Sequence, residues 1–390
     1  MQKFTFFNPT QIVFGKGQMQ ELDALVPKNA RVLITYGGGS AKRSGVLDAV
    51  KKELMQSNRT VFEFGGIEAN PKFPTLMKAV ELARMEDVDF LLAVGGGSVM
   101  DGTKFIAIAI HAEQFMGKEE ELLHFGFSTV PVENVVPLGT VVTLPATGSE
   151  MNNGGVISNG TDKLTIFHRD AFPVFSILDP ELTYTLPKEQ VGNGIVDSFV
   201  HVIEQYLTYP QNAPVQDRIA EGLLQTIIEV GPTTLANPTD YDSRESLVWS
   251  ATLALNGLLS AGVVPDWTSH MIGHELTALH HIAHARSLAV LLPAVMRQRK
   301  DQKREKLLQY GERVWKICTG TEDERIELAI QKTEEFFHEV GFTTRLSDYG
   351  VSKSDIPAVL ENLEKHNMTA LSERGDISLD VSRAILEDSL

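Results

Sequence analysis

A single cysteine, Cys318, is all the thiol in this chain of 390 residues. That excludes an intrachain disulfide framework and a thiolate-bound metal cluster. Positive charge is also short: 35 Lys and Arg stand against 51 Asp and Glu, for a net charge of −16. General nucleic-acid binding needs clustered cations to meet phosphates, and this balance argues against it. A nucleotide-sized ligand needs only a local site and stays open. No run approaches the ~18 apolar residues of a membrane span. Polar interruptions throughout residues 1–20 argue against a secretory signal. No fixed-period repeat, heptad array or low-complexity tail is present. The 43% apolar and 22% charged content is that of an ordinary globular protein, and the length suits two domains better than one core. The expectation is a cytoplasmic enzyme with no membrane or nucleic-acid partner.

Strand and helix patterns alternate through the first half. Arg31–Tyr36, Val61–Phe64 and Asp89–Val94 read as strands, and Val46–Leu54 and Phe73–Arg84 as helices. Asp89–Val94 is nearly all apolar, as in strands buried on both faces of a parallel sheet. A helix to about Ala112 follows, then strands at Pro137–Leu144 and Val174–Leu178. This order predicts an α/β domain with a parallel sheet over residues 1–184. Beyond it the pattern is helical, over Gln190–Leu207, Pro214–Glu229, Ser243–Leu259, Trp267–Leu279, Arg304–Lys316, Glu322–Val340, Ile356–His366 and Leu379–Leu386. An all-helical domain over 185–390 is expected.

Three polar turns follow predicted strands. Gly95-Gly96-Gly97-Ser98 ends the buried strand and opens an apolar helix. Ser98 can cap that helix, with Asp101 three residues on in the capping-box position. The glycines let a pyrophosphate approach the backbone and the helix start; the plainer reading is a tight connection. Gly37-Gly38-Gly39-Ser40 repeats the arrangement beside Lys42 and Arg43, with no acid before Asp48. A carboxylate at such an edge would grip the ribose of NAD, whereas this turn leaves room for the 2′-phosphate of NADP. A solvated basic pair is the alternative. The third turn runs from Thr140 to Glu150 and continues into Asn152 and Asn153. Its Thr140, Thr143, Thr147 and Ser149 hydroxyls suit a phosphate, ribose or ring amide, or line a plain surface loop.

Histidines supply the other signal. Five of eleven fall between 270 and 284. Asp197 and His201 are four apart, as are His270 and His274, so each pair shares one helix face. Together with His284 they read as mixed O and N ligands, which suit Zn²⁺ or Fe²⁺ better than Mg²⁺ or Ca²⁺. A buried polar network is the alternative. His274-Glu275 opens a zinc-peptidase pattern, but H-E-x-x-H needs a histidine where Ala278 stands.

The chain resembles the iron-containing, group III alcohol dehydrogenases, in particular their NADPH-dependent butanol dehydrogenase or broad-specificity aldehyde reductase branch. The marks are Phe14-Gly15-Lys16-Gly17, Gly95–Ser98 with Asp101, Thr143–Glu150, Asp179-Pro180, Asp197-x-x-x-His201, and His270-x-x-x-His274 with His284. The resemblance implies an N-terminal dinucleotide-binding domain, a helical C-terminal domain and an active site in the cleft between them. It implies Asp197, His201, His270 and His284 as ligands of one Zn²⁺ or Fe²⁺, and His274 as the proton-handling histidine. The expected NADP(H) contacts are Gly37, Gly38, Gly39, Ser40, Gly95, Gly96, Gly97, Ser98, Asp101, Thr140, Thr143, Thr147, Ser149, Lys163 and Leu182. One departure is Ala285 after His284, where the family commonly has glycine. The implied activity is reversible hydride transfer between NADP(H) and primary alcohols or aldehydes, with short- and medium-chain aldehydes as substrates and a homodimer as the assembly. An NAD-linked polyol dehydrogenase of the same family is the alternative.

Overall fold

Six short runs rich in Val, Ile, Leu and Phe pair in parallel in the computed structural model, which describes residues 1–390. The strands are β1 (Gln11–Phe14), β2 (Arg31–Tyr36), β3 (Thr60–Phe64), β4 (Phe90–Gly95), β5 (Leu138–Val142), β6 (Gly154–Asn159), β7 (Asp162–Phe167) and β8 (Phe175–Leu178). The sheet order is β1-β8-β5-β4-β2-β3, and β6 pairs with β7 in a separate antiparallel hairpin. Parallel strands need crossovers on the sheet faces. These are supplied by α1 (Leu22–Leu25), α2 (Ser40–Arg43), α3 (Val46–Leu54), α4 (Phe73–Met85) and α5 (Gly97–Ala109). Every residue of β4 is buried, and α5 is buried on nearly every side, which explains its almost continuous apolar sequence.

This topology reverses direction once. From β2 the chain steps outward to the edge strand β3, then returns to place β4 on the other side of β2. Such a switch point opens a crevice at the carboxyl ends of the strands on its two sides, here β2 and β4. Gly37–Ser40 follows β2 and Gly95–Ser98 follows β4, so both glycine turns lie there.

The helices of the second half are α6 (Lys188–Tyr206), α7 (Pro214–Ala236), α8 (Tyr241–Ala254), α9 (Thr268–His280), α10 (His284–Gln298), α11 (Arg304–Arg313), α12 (Glu322–Glu339), α13 (Ile356–Lys365) and α14 (Leu379–Asp388). The chain divides into Phe7–Leu186 and a helical unit of Pro187–Leu390 joined by Met1–Phe6. Part of the helical core is formed by Ile272, Leu276, Val290, Leu291, Val359, Leu363 and Ile385 from α9, α10, α13 and α14.

Some elements differ from the sequence reading. The strand β1, the β6–β7 hairpin and α10 were not anticipated. The hairpin turns through a two-residue loop led by Gly160 at φ 62. Its strands lie just beyond the polar loop read from Thr140 to Asn153, in a stretch to which the sequence reading assigns no element. The expected helix to Leu259 stops at Ala254, because the Asn256 side chain accepts the Leu258 amide at 3.0 Å and Gly257 turns left-handed at φ 87.

Candidate functional site

Three helices deliver the histidine cluster. Asp197 and His201 lie on adjacent turns of α6, His270 and His274 on adjacent turns of α9, and His284 opens α10. Ligand atoms of Asp197, His201 and His270, all buried, lie within 4.8 Å of one another. Asp197 Oδ1 is 3.7 Å from His201 Nε2, 3.9 Å from His270 Nε2 and 3.7 Å from His284 Nε2. These separations are too long for hydrogen bonds. Four donors set about 2.0–2.2 Å from one tetrahedral ion stand about 3.4 Å apart, so the arrangement resembles a slightly opened coordination shell. The His284 side chain keeps 27% of its exposure, against 6–7% for Asp197, His201 and His270. One carboxylate and imidazole nitrogens form the donor set of a divalent transition metal, and the cluster fits such an ion. His274 stands beside it, its ring 5.2 Å from that of His284. Trp267 packs edge-on against His270 at 5.3 Å. His281 lies past the end of α9, exposed and left-handed at φ 56.

Behind the cluster lies a carboxylate that the sequence reading missed. Glu204, buried on α6, accepts the backbone amides of Ser269 and of His270 (3.3 Å) on Oε1, and its Oε2 meets His270 Nδ1. Burial, reinforced by Asp266, pushes its carboxyl well above the ordinary range, while the two amides pull it down. The signal was its position, seven residues after Asp197 and three after His201 on one helix face.

At the glycine turns the structure assigns different reasons to different residues. Gly39 sits left-handed at φ 98 as the cap of α2, so a backbone requirement explains it. A Cβ on Gly95 would lie 2.6 Å from Val99, one on Gly96 2.9 Å from Leu144, and one on Gly97 2.5 Å from Thr147. Close packing against Val99 of α5 therefore demands Gly95, and packing against the Thr143–Ser149 loop demands Gly96 and Gly97, whatever approaches from outside. Ser98 does not cap the helix, correcting the capping-box reading. Gly96 is the N-cap, with no side-chain bond to the helix, and Ser98 Oγ instead accepts the Asn70 amide at 3.3 Å. Lys163 Nζ donates to Asn70 Oδ1 at 2.8 Å, which brings a cation close to this helix start. Near the first turn, Arg43 reaches the Gly38 carbonyl at 3.4 Å. Glu63 on β3 is paired with Lys51 at 3.2 Å.

Other expected contacts face inward. Thr140 is fully buried in β5 and donates to Ser176 Oγ at 2.7 Å. Leu182 packs on the sheet core. Thr143 donates its amide to the Gly95 carbonyl at 2.9 Å, joining the second and third turns. Phe127 packs against Phe167 and is 61% exposed, and the Asn256 side chain accepts the Leu258 amide in its own turn.

Comparison with known proteins adds the family. The iron-containing alcohol dehydrogenase profile matches residues 9–180, and the profile of the C-terminal part of the Fe-containing alcohol dehydrogenase family matches 192–375. The chain belongs to the iron-containing alcohol dehydrogenase family. It is 53% identical to the NADPH-dependent aldehyde reductase YqhD of Escherichia coli (strain K12), covering 99% of each chain. The crystal structure of E. coli K-12 YqhD superposes with a TM-score of 0.96 at 52% identity, covering 100% of this chain and 99% of that one. An NADH-dependent butanol dehydrogenase A from Thermotoga maritima gives a TM-score of 0.93 at 32% identity, with 100% and 99% covered.

In this iron-containing alcohol dehydrogenase, two marks of the resemblance have direct structural explanations. Asp179 accepts the Gly17 amide at 2.8 Å and the Glu181 amide at 3.0 Å, tying the turn after β1 to the end of β8. Asp101 receives Ser149 Oγ at 2.6 Å and the Val156 amide at 2.9 Å, so it braces the third turn and the hairpin. The departure at Ala285 is accommodated as a buried residue in the first turn of α10.

Lys104 completes that brace. It is fully buried and donates to Ser149 Oγ (2.8 Å), Asn152 Oδ1 (2.7 Å) and the Gly154 carbonyl (2.9 Å). Burial lowers its ammonium to about 8, opposed by Asp101 and Glu150. The folded state therefore releases this proton before the unfolded chain does. Stability gained from Lys104 rises with pH between about 8 and the ordinary lysine value of 10.5. Urea unfolding across that window should show wild type gaining on Lys104→Met by about 1.4 kcal/mol per pH unit. Parallel pH profiles for the two proteins would contradict the buried-ammonium assignment.

Proposed function

We propose that this chain is an NADP(H)-dependent alcohol dehydrogenase that works mainly as a reductase of short- and medium-chain aldehydes. The observation that carries the reading is the convergence of three imidazole nitrogens on Asp197 Oδ1. Asp197, His201, His270 and His284 would hold one divalent ion, zinc or iron. Bound there, the cation supplies Lewis-acid polarisation of a carbonyl oxygen, and a reduced nicotinamide supplies the hydride.

The chain's own residues supply position, exclusion and the proton. His274, one turn along α9 from His270, keeps an ionisable nitrogen beside the ligand cluster and hands a proton to the developing alkoxide, directly or through water. Trp267, edge-on to His270, walls the cluster with apolar surface and excludes water. Gly95, Gly96, Gly97 and Ser98 present the start of α5, whose dipole favours an anion, and Lys163 adds positive charge nearby. Thr143, Thr147 and Ser149 form the facing loop, held by Asp101 and Lys104; Thr140 supports its end from the core through Ser176, which donates to the Glu150 carbonyl, while Leu182 packs on the sheet.

The preference for the phosphorylated cofactor rests on Gly37, Gly38, Gly39 and Ser40. This turn carries no carboxylate, and Lys42 and Arg43 follow it. Asp48 pairs with Lys51 at 3.2 Å, as Glu63 does. The 53% identical relative is named NADPH-dependent and the 32% identical one NADH-dependent, so the named cofactor differs between members of the family, and we assign the choice in this chain to the turn. We extend the reading to a cytoplasmic homodimer.

A single survey tests it: NADPH and NADH against butanal, longer aldehydes and glycerol, with metal analysis of the same preparation. The expected result is at least about tenfold higher kcat/KM with NADPH on aldehydes, a difference of about 1.4 kcal/mol, and one divalent ion per chain. Faster NAD-linked oxidation of glycerol would replace the reading with the polyol alternative.

A further inference from the structure

We propose that Glu204 is a positioning residue that fixes the tautomer and direction of His270, and that it sets the metal affinity of the site although it is not a ligand. This rests on the metal-site reading above and adds an outer carboxylate to it.

The argument begins at the start of α9. The first amides of any helix have no partner within it. Here the N-cap, Trp267, is left-handed at φ 61 and offers no side-chain cap. The donors instead come under a carboxylate from a different helix: Glu204 Oε1 accepts the amides of Ser269 and His270. Both are N–H donors, so Oε1 acts as an acceptor. The other oxygen, Oε2, meets His270 Nδ1. One carboxylate thus holds both the backbone and the ring of the same residue. With Oε2 as acceptor, Nδ1 carries the proton and Nε2 presents its lone pair, and Nε2 is the atom that faces Asp197 Oδ1 at 3.9 Å. A carboxylate on the far nitrogen of a metal-binding imidazole orients the ring and raises its basicity.

Position on α6 makes the arrangement possible. Residues 197, 201 and 204 fall on one helix face, so the helix that offers a carboxylate and an imidazole also braces the imidazole arriving from α9. Behind Glu204 one buried cation stands between two further carboxylates. Lys303 Nζ, buried, contacts Asp266 at 2.7 Å and Glu373 at 3.1 Å and donates to the Leu207 carbonyl at 2.6 Å. The Asp266 amide in turn donates to the Glu204 carbonyl at 2.8 Å.

A second buried carboxylate–histidine pair, its carboxylate on α9, serves as an internal control. Glu275 Oε1 meets His366 Nδ1 at 2.8 Å, but His366 belongs to the connection after α13 and takes no part in the cluster. If Glu204 only cements helices, Glu204→Gln and Glu275→Gln should act alike.

The experiment measures zinc affinity of the full chain by chelator competition, together with thermal unfolding of the metal-free protein. In Glu204→Gln the amide oxygen can still accept from the α9 start, but the NH2 group then faces Nδ1 and favours the tautomer with hydrogen on Nε2. Zinc affinity should fall by about 10- to 100-fold while the metal-free melting temperature stays near wild type. Glu275→Gln should leave zinc affinity unchanged. A loss smaller than about fivefold in Glu204→Gln, or an equal loss in Glu275→Gln, overturns the proposal. If Glu204→Gln does not fold, Glu204→Asp, which keeps the charge one methylene further back, is read by the same rule. Asp197→Ala separates the two levels. Zinc lost there but retained in Glu204→Gln defeats the positioning role alone, whereas zinc retained in both defeats the metal site.

Discussion

Asp197→Ala is expected to lose zinc binding and turnover together while the metal-free fold survives unchanged or slightly stabilised. Asp197 contributes the only formal negative charge among the four proposed ligands, and its Oδ1 is the atom to which all three imidazole distances refer. Loss of a partner behind a ligand already costs about 10–100-fold in affinity, so loss of the charged ligand itself should exceed a hundredfold. Lewis-acid stabilisation is worth several kcal/mol, and about 4 kcal/mol corresponds to about a thousandfold in rate. Stability should move the other way in the metal-free protein. A carboxylate buried among imidazoles is a desolvated charge, and alanine removes that cost. Wild type should therefore show a melting temperature that climbs with added zinc, by linkage, while Asp197→Ala shows none of this response. Chelator competition and paired melting curves give the measurement. A variant with near-normal turnover at one bound zinc per chain would remove Asp197 from the site.

What the sequence disclosed about this site follows from how local each signal is. Asp197–His201 and His270–His274 repeat at helical spacing, so each pair can be read without knowing the fold. His284 carries no such partner. It opens α10, a helix that escaped reading because Pro293 interrupts it and because Ala289–Met296 is buried throughout, leaving no apolar–polar period. Glu204 was hidden for the opposite reason. An acid on a charged chain looks solvated until its neighbours from α9 are known, and the cap it supplies crosses from one helix to another. The parallel sheet was legible because strands buried on both faces are apolar throughout, as Phe90–Gly95 is. β1 was not, since it is a four-residue edge strand whose burial pattern runs from exposed to half-buried. The glycines of the second turn were legible as a tight connection, but not the neighbours that require them: Val99, Leu144 and Thr147 crowd them from within.

The first turn is where cofactor choice can be tested without confusing charge with strain. Gly39→Asp is expected to raise the KM for NADPH by at least about tenfold over Gly39→Asn, with little difference between the two variants for NADH. Both substitutions force a side chain into the left-handed backbone at φ 98, which asparagine and aspartate tolerate better than other residues. Both place a Cβ 3.2 Å from an Arg43 guanidinium nitrogen, so any movement of that side chain is shared. They differ by one negative charge. A carboxylate here would pair with Arg43 and also repel a 2′-phosphate. Two unit charges about 4 Å apart interact by about 4 kcal/mol at an effective dielectric of 20, so a tenfold effect needs only about a third of that. NADH has no 2′-phosphate and feels only the shared strain, and the new carboxylate can accept its ribose hydroxyls. Raising salt should narrow the Asp–Asn difference for NADPH, because the turn is partly exposed and its charges are screened. Equal behaviour of the two variants toward NADPH, or an equal penalty on NADH from the charge, would take Gly37–Ser40 out of the cofactor site and leave its glycine as a requirement of the α2 cap alone.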